Sequence, residues 1–104
     1  MAQIVMAKTL TSEKIITELE HRREELLRLG VVKIGVFGSF VAKRQRPKSD
    51  IDILVKFRKT GFDEYMDLKF LLEKTFRRKV DLVTEGGLKP ELRYVKKEAK
   101  YARL

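Results

Sequence analysis

The sequence predicts an α/β protein in which a small mixed β-sheet is flanked by helices. Three short runs rich in branched aliphatic residues, VVKIGVF, IDILV and VDLV, have the length and composition of buried strands. The longer segments around them carry apolar residues at the three- and four-residue spacing of amphipathic helices. A chain of 104 residues has the length of one domain. We therefore expect residues 1–104 to form a single domain, with residues 1–10 as a flexible segment at its start.

The first half of the chain is predicted to run helix, strand, short helix. A Thr-Ser pair at residues 11–12 can cap the first helix, and Gly30 supplies its stop. The strand covers residues 31–37 and ends at Gly38. Ser39 can then cap a short helix through residues 40–42, which must end before the proline of the basic loop KRQRPKS.

The second half is predicted to contain two more strands and two more helices. A strand begins at Ile51, and a third strand, KVDLVT, carries Asp81. Between them lies an amphipathic helix, and a last helix is expected to begin near Pro90. The apolar stripe of the first of these helices consists of Phe62, Tyr65, Leu68, Leu71, Leu72 and Phe76. That of the last consists of Leu92, Val95, Ala99 and Ala102, and we also expect Tyr94 to belong to the core.

The composition excludes several classes of site. Without cysteine there can be no disulfide or thiolate metal site, and the single histidine, His21, lies in the charged helical run LEHRREEL, where we expect it to face solvent. No segment has the pattern of a signal peptide or a membrane span, so we expect a cytoplasmic protein without membrane contact. The net charge of +9 favours polyanionic partners, whether nucleic acid, nucleotide phosphates or an acidic protein surface.

Three aspartates among aliphatic residues form the strongest candidate site. Asp50 and Asp52 lie two residues apart at the start of a strand, so their side chains point the same way, about 6.6 Å apart along the chain. Unpaired carboxylates in such a place repel one another, and a divalent cation such as Mg²⁺ removes the repulsion. Asp81, on the next predicted strand, is the candidate third carboxylate, although a single exposed aspartate on an edge strand would leave the same pattern.

Gly38 and Ser39 form the complementary part of the candidate site. Glycine lets the backbone approach a phosphate closely, and the start of a following helix offers unpaired N–H groups. A phosphate cradle beside a carboxylate-bound metal ion is what phosphoryl or nucleotidyl transfer requires. The pattern therefore predicts a site for metal-assisted transfer from a nucleotide.

These motifs carry a family resemblance. The run GSF, followed by SDIDILV, VDLV and the tail LKPELRYVKKEA, resembles the minimal nucleotidyltransferases (MNT) of the DNA polymerase β superfamily, in particular the antitoxin half of HEPN/MNT toxin–antitoxin pairs. The likeness covers about residues 12–100. It implies the nucleotidyltransferase fold and Mg²⁺-dependent transfer of AMP from ATP to a tyrosine of a small helical HEPN toxin.

The resemblance also implies a role for each matching residue. Gly38, Ser39 and Ser49 would bind the nucleotide, Asp50 and Asp52 would bind Mg²⁺, and Asp81 would help to hold metal or activate the attacking hydroxyl. All three aspartates are thus candidate catalytic and metal-binding residues.

Two other functions remain open at this point. The residues after the Gly-Ser-aromatic element, Val41, Ala42 and Lys43, depart from the family's usual small, Arg and Gly residues, which suits a module that neutralises a toxin by docking alone. The charge of +9 suits a nucleic-acid-binding protein, although no RNA-binding motif is visible. The basic loop that contains Lys43, Arg44, Arg46 and Lys48 fits either a solvated charge run or a triphosphate- or partner-binding segment.

Overall fold

A computed structural model describes residues 10–42, 46, 49–59 and 61–104. In this part of the chain, four strands form one mixed sheet in the order β3-β2-β1-β4. The strands are β1 (Val31–Phe37), β2 (Ile51–Phe57), β3 (Val80–Thr84) and β4 (Lys100–Tyr101). β1 is antiparallel to both β2 and β4, whereas β2 and β3 are parallel. The predicted mixed sheet flanked by helices is confirmed.

The helices of the described residues are α1 (Ser12–His21), α2 (Arg23–Arg28), α3 (Phe62–Phe76) and the short α4 (Tyr94–Glu98). Three-residue 3₁₀ helices follow β1 at Gly38–Phe40 and β3 at Glu85–Gly87, and another precedes α4 at Pro90–Leu92. None of the helices in the described part of the chain is long and apolar enough to cross a membrane.

One apolar core lies between a face of the sheet and the helices. Alternate residues of β2 and β3 point into it, as the period of a strand requires, and β1 contributes Val31, Ile34 and Val36, with a register irregularity between Val31 and Lys33. Helices α1, α2 and α3 cover this face with aliphatic side chains that are fully buried: Ile15, Leu19, Leu26, Leu68 and Leu72. Leu54 is buried too but lies outside this cluster, because it belongs to the other face of β2 together with Asp52.

The predicted first helix is interrupted at Arg22. This residue leaves the helical conformation (φ −106°, ψ 20°), and its side chain bonds Glu18 at 3.1 Å and Glu25 at 3.3 Å. The break lets both helical segments turn leucines into the core. His21, just before the break, is exposed as predicted. Thr11 caps α1, its side-chain oxygen accepting the backbone N–H of Lys14 at 3.2 Å.

The prediction of one long C-terminal helix is wrong. α4 ends at Glu98, Ala99 is extended (φ −63°, ψ 145°), and the next two residues pair with β1 as β4. The physical reason is the free edge of β1, whose backbone groups bond the tail, including Ile34 O with Ala102 N–H at 2.9 Å. Gly35 permits this approach, since a Cβ there would lie 2.6 Å from the Lys100 carbonyl oxygen.

Two aromatic residues expected in the core are exposed instead. Phe62 is 78% exposed because it opens α3, whose buried residues are Leu68 and Leu72. Tyr94 is 56% exposed, and its neighbour Val95 takes the buried position in α4. Tyr65, by contrast, lies against the core as predicted and donates its hydroxyl to the carbonyl oxygen of Leu82.

Candidate functional site

Asp52 lies between two strands that each present a residue of interest beside it. In the antiparallel β1–β2 pair its register partner is Phe37, the last residue of β1. In the parallel β2–β3 pair its partner is Asp81. Neighbouring strands are about 4.8 Å apart, so the side chains of Asp52 and Asp81 leave the same face of the sheet side by side. Asp50 immediately precedes β2, and the three aspartates therefore lie at one end of the sheet.

The turn after β1 brings the Gly-Ser pair against Asp52. Gly38 has a φ of +74°, a left-handed conformation that side chains disfavour. A Cβ at Gly38 would lie 2.0 Å from Oδ2 of Asp52, well inside contact distance. Both features require glycine here. The sequence separation of 14 residues between Gly38 and Asp52 is closed by the antiparallel pairing of β1 with β2.

The conformation of this turn differs from the predicted helix capped by Ser39. The turn is a single 3₁₀ helix over Gly38–Phe40, its cap residue is Phe37, and no side chain makes the capping bond. Ser39 lies second within the turn, so it cannot occupy the capping position. Its backbone N–H instead bonds the Asp52 carboxylate, and this interaction favours the charged carboxylate.

The electrostatics of the site centre on Asp52. The pKa of Asp52 is raised from an ordinary 3.8 to about 6, chiefly by burial and then by the charges of Asp81 and Asp50, against the lowering effect of the Ser39 hydrogen bond. The side chain is only half-buried, while Asp50 and Asp81 are exposed. Asp81 lies on an edge strand of the described sheet, as the register partner of Asp52, and its charge contributes to the raised pKa of Asp52.

Ser49 has a local structural role beside its predicted nucleotide contact. Its hydroxyl accepts the backbone N–H of Arg46 at 2.7 Å, and its own N–H donates to the Arg46 carbonyl at 2.9 Å. These two bonds hold Ser49 against Arg46 just before Asp50. Other members of the predicted basic loop, Lys43, Arg44 and Lys48, lie outside the described residues, as do residues 1–9.

The aspartates fit a divalent cation by their chemistry. Carboxylate oxygens are the ligands that Mg²⁺ prefers, and the charges of Asp81 and Asp50 both contribute to the raised pKa of Asp52. Within the described part of the chain, no three acidic or histidine side chains are gathered as tightly as the ligands of a preformed site. Mutual repulsion opposes such gathering, and a bound cation reverses it.

Sequence reasoning missed Arg78. This residue lies just before β3, half-buried, and its Nη1 donates to the carbonyl oxygen of Ser49 at 3.0 Å. Its guanidinium also lies over the ring of Phe40, 5.6 Å from the centroid. The run RRK ahead of VDLV was a possible signal, but a basic residue next to a helix end is common and predicts no particular contact.

The chain belongs to the nucleotidyltransferase domain family. The family model matches residues 13–104, a span that holds the Gly38–Phe40 turn and all three aspartates. The protein is therefore a nucleotidyltransferase, as the resemblance of its motifs implied. This agreement covers the fold and the class of enzyme; the roles of the individual site residues remain predictions.

Individual relatives agree with this assignment. The chain is 40% identical over 82 residues to the protein adenylyltransferase MntA of Thermococcus cleftensis, covering 77% of this chain and 83% of that protein. A solved structure of a candidate minimal nucleotidyltransferase is 34% identical with a TM-score of 0.74, over 88% of this chain and 95% of the other. A toxin–antitoxin structure with AMP-PNP is 26% identical with a TM-score of 0.63, over 79% and 70%.

Proposed function

We propose that the protein is an antitoxin that transfers AMP from ATP to a partner HEPN toxin. The reaction requires Mg²⁺, and the acceptor group is the hydroxyl of a tyrosine of the toxin. The observation that carries the proposal is the contact of the Gly38 turn with Asp52, beside Asp81. A similar protein is named a protein adenylyltransferase, and a structural relative is a toxin–antitoxin complex with an ATP analogue. ATP and Mg²⁺ are abundant in the cytoplasm, which is the proposed location.

Each predicted site residue has a role in this proposal. Gly38 and Ser39 would bind the triphosphate, and Ser49 would support the same nucleotide from its position just before Asp50. Asp50 and Asp52 would hold Mg²⁺, with Asp81 as the third carboxylate. When bound, the metal neutralises the phosphates and aligns the attacking and leaving oxygens.

The chemical step is a substitution at the α-phosphorus of ATP. The acceptor hydroxyl oxygen forms a bond to this phosphorus while the bond to the bridging oxygen breaks, so that pyrophosphate leaves. Asp81 would accept the hydroxyl proton, a role supported by its exposure on the edge strand of the described sheet, where a protein acceptor can approach. Asp52, with a pKa of about 6, is charged at neutral pH even without a cation.

The test is transfer of label from α-labelled ATP to a purified HEPN toxin. We expect the parent protein with Mg²⁺ to label the toxin and to block its activity. Asp52→Asn should lose at least about a hundredfold in rate, because an amide lacks the charge that the metal and phosphates need, while still binding the toxin in a pull-down. Asp67→Asn, an exposed charge change on α3, is the matched control and should label normally.

The same assay separates the two alternatives. If Asp52→Asn still protects against the toxin as well as the parent does, the protein neutralises by docking, as the departures at Val41 and Ala42 would suit. If label moves to RNA and not to the toxin, the net charge of +9 reflects a nucleic-acid substrate. If Asp52→Asn still transfers label to the toxin, the assignment of the catalytic carboxylates is wrong.

A further inference from the structure

Arg78 contacts the segment just before Asp50 and the Gly38–Phe40 turn. Its Nη1 donates a hydrogen bond of 3.0 Å to the carbonyl oxygen of Ser49. The central carbon of the same guanidinium lies 5.6 Å from the centroid of the Phe40 ring. Phe40 is 1% exposed and belongs to the apolar core, so it provides a fixed surface for the guanidinium.

The two residues that Arg78 contacts are close in sequence to the candidate site residues. Ser49 immediately precedes Asp50, and Phe40 closes the Gly38–Phe40 turn. Arg78 itself is three residues before Asp81. One side chain therefore connects the turn that approaches Asp52, the segment that leads into β2 and the segment that leads into β3.

The position of Arg78 extends the pairing between β2 and β3. The first backbone bond of this junction runs from Ile51 N–H to the Lys79 carbonyl at 3.0 Å. Beyond it, the Arg78 side chain reaches the carbonyl of Ser49, where the backbone ladder has stopped. The loop before Asp50 is thus held by a charged donor, and hydrogen bonds of this kind are stronger than neutral ones.

Arginine suits this position better than lysine. A planar guanidinium can lie over an aromatic ring while its N–H groups donate in its own plane. A lysine ammonium is a point charge on a flexible stem and cannot fix both contacts at once. The geometry therefore depends on the shape of the guanidinium as well as on its charge.

We propose that Arg78 is a positioning residue, which sets the placement of the Gly38–Phe40 turn relative to Asp50, Asp52 and Asp81 for binding of the metal–nucleotide complex. The proposal rests on the proposed function, since it concerns the same site. It adds a residue that acts through Ser49 and Phe40.

The first test measures binding without catalysis. Mn²⁺ is titrated in the presence of a non-hydrolysable ATP analogue and followed by electron paramagnetic resonance and calorimetry. We expect Arg78→Gln to weaken the affinity for the metal–nucleotide pair about tenfold, as loss of outer supporting contacts commonly does. Arg78→Lys should bind the metal–nucleotide pair nearly as weakly, because lysine retains the charge but not the planar guanidinium. Arg77→Gln, at the exposed neighbouring arginine, is the matched control and should bind as the parent does.

The second test separates positioning from general stability. For AMP transfer to the toxin, Arg78→Gln should lower kcat about tenfold with little change in the KM for toxin. A double-mutant cycle combines Arg78→Gln with Phe40→Leu, at a temperature well below the melting temperatures of both variants. The effects of the two substitutions on kcat should not be additive.

Several results would overturn the proposal. It fails if Arg78→Gln lowers the melting temperature but leaves metal–nucleotide affinity and kcat unchanged, or if Arg78→Lys matches the parent in both. If the parent binds Mn²⁺ and the analogue but transfers no AMP to the toxin, the proposed function fails, whereas the binding comparison still decides the role of Arg78. If the parent binds neither, both proposals fail.

Discussion

Asp52 and Asp81 are register partners in adjacent parallel strands, and the charge of Asp81 helps to raise the pKa of Asp52 to about 6. Cross-strand neighbours of like charge destabilise a sheet. This pair lies at the end of the sheet, beside a glycine turn that leaves no room for a Cβ. Its position is better explained by the binding of a cation than by a contribution to the stability of the fold. The same relationship predicts how stability depends on pH.

Without metal, the parent protein should lose stability as the pH rises from about 4 to about 6. The folded pKa of Asp52 lies above its ordinary value of 3.8, so between these values the folded state holds a proton that the unfolded state has released. The penalty is absent below the lower value and complete above the upper one. Asp52→Asn removes it and should stabilise the protein at pH 8 by about 1 kcal/mol, a modest amount because the side chain is half exposed.

Chemical denaturation in chelating buffer at pH 8 and at pH 4 measures this difference. The gain should shrink towards zero at the lower pH, and Asp67→Asn should show no such dependence. A large loss of stability in Asp52→Asn at pH 8 would show that the aspartate is a structural residue.

Mg²⁺ with ATP should stabilise the fold and raise its melting temperature. A ligand that binds only the native state at about 100 times its Kd adds about 2.7 kcal/mol, and for a domain of this size that corresponds to roughly 10 °C. The shift should require both components and should be lost in Asp52→Asn. An unchanged melting temperature at millimolar Mg²⁺ and ATP, with no heat of binding, would argue against a nucleotide site.

A surface ion pair should make the C-terminal strand sensitive to acid. Lys100 Nζ lies 3.0 Å from Oε2 of Glu13, and this hydrogen bond is the main cause that lowers the pKa of Glu13 to about 2 from an ordinary 4.5. The stabilisation is present above the ordinary value and is lost as the pH falls through about 2.

Hydrogen exchange at the Ala102 amide, which bonds Ile34 O across the β1–β4 pair, reports on this strand. Glu13→Gln should speed exchange there at neutral pH and low salt, and the effect should fade in concentrated salt because the pair is exposed. Equal exchange in parent and variant at low salt would show that the ion pair does not hold the strand.

Local patterns in the sequence predicted the parts of this molecule that depend on neighbouring residues. The strand at residues 31–37 was predicted with the bounds observed, and the apolar stripe from Phe62 to Phe76 was correctly assigned to a helix, because aliphatic runs and helical periods are short-range signals. The fourth strand was missed, since its spacing is also that of a helix and only the distant edge of β1 decides between them.

The candidate site shows the same division between short-range and long-range information. Asp50 and Asp52 were visible as a pair because they are two residues apart, and the motif order pointed to Asp81. That Asp81 is the register partner of Asp52 depends on the pairing of β2 with β3, which no local pattern specifies. The contacts of Arg78 with Ser49 and Phe40 span 29 and 38 residues, so they emerge only in the folded chain.

Gly38→Ala should abolish AMP transfer, and Gly30 provides a matched control. Both glycines have positive φ, +74° and +84°, so alanine at either position costs about 1–2 kcal/mol of backbone strain. At Gly30 nothing lies within 4 Å of the added Cβ, whereas at Gly38 it would lie 2.0 Å from Oδ2 of Asp52. The clash must move either the turn or the carboxylate, and both belong to the proposed site.

We therefore expect Gly30→Ala to lose stability but keep its rate per folded molecule, and Gly38→Ala to lose about a hundredfold or more in kcat. Denaturation curves and label transfer on the two variants, side by side at a temperature where both are folded, make the comparison. Normal transfer by Gly38→Ala would mean that the turn does not bear on the chemistry; an equal loss of rate in Gly30→Ala would mean that strain alone accounts for the effect.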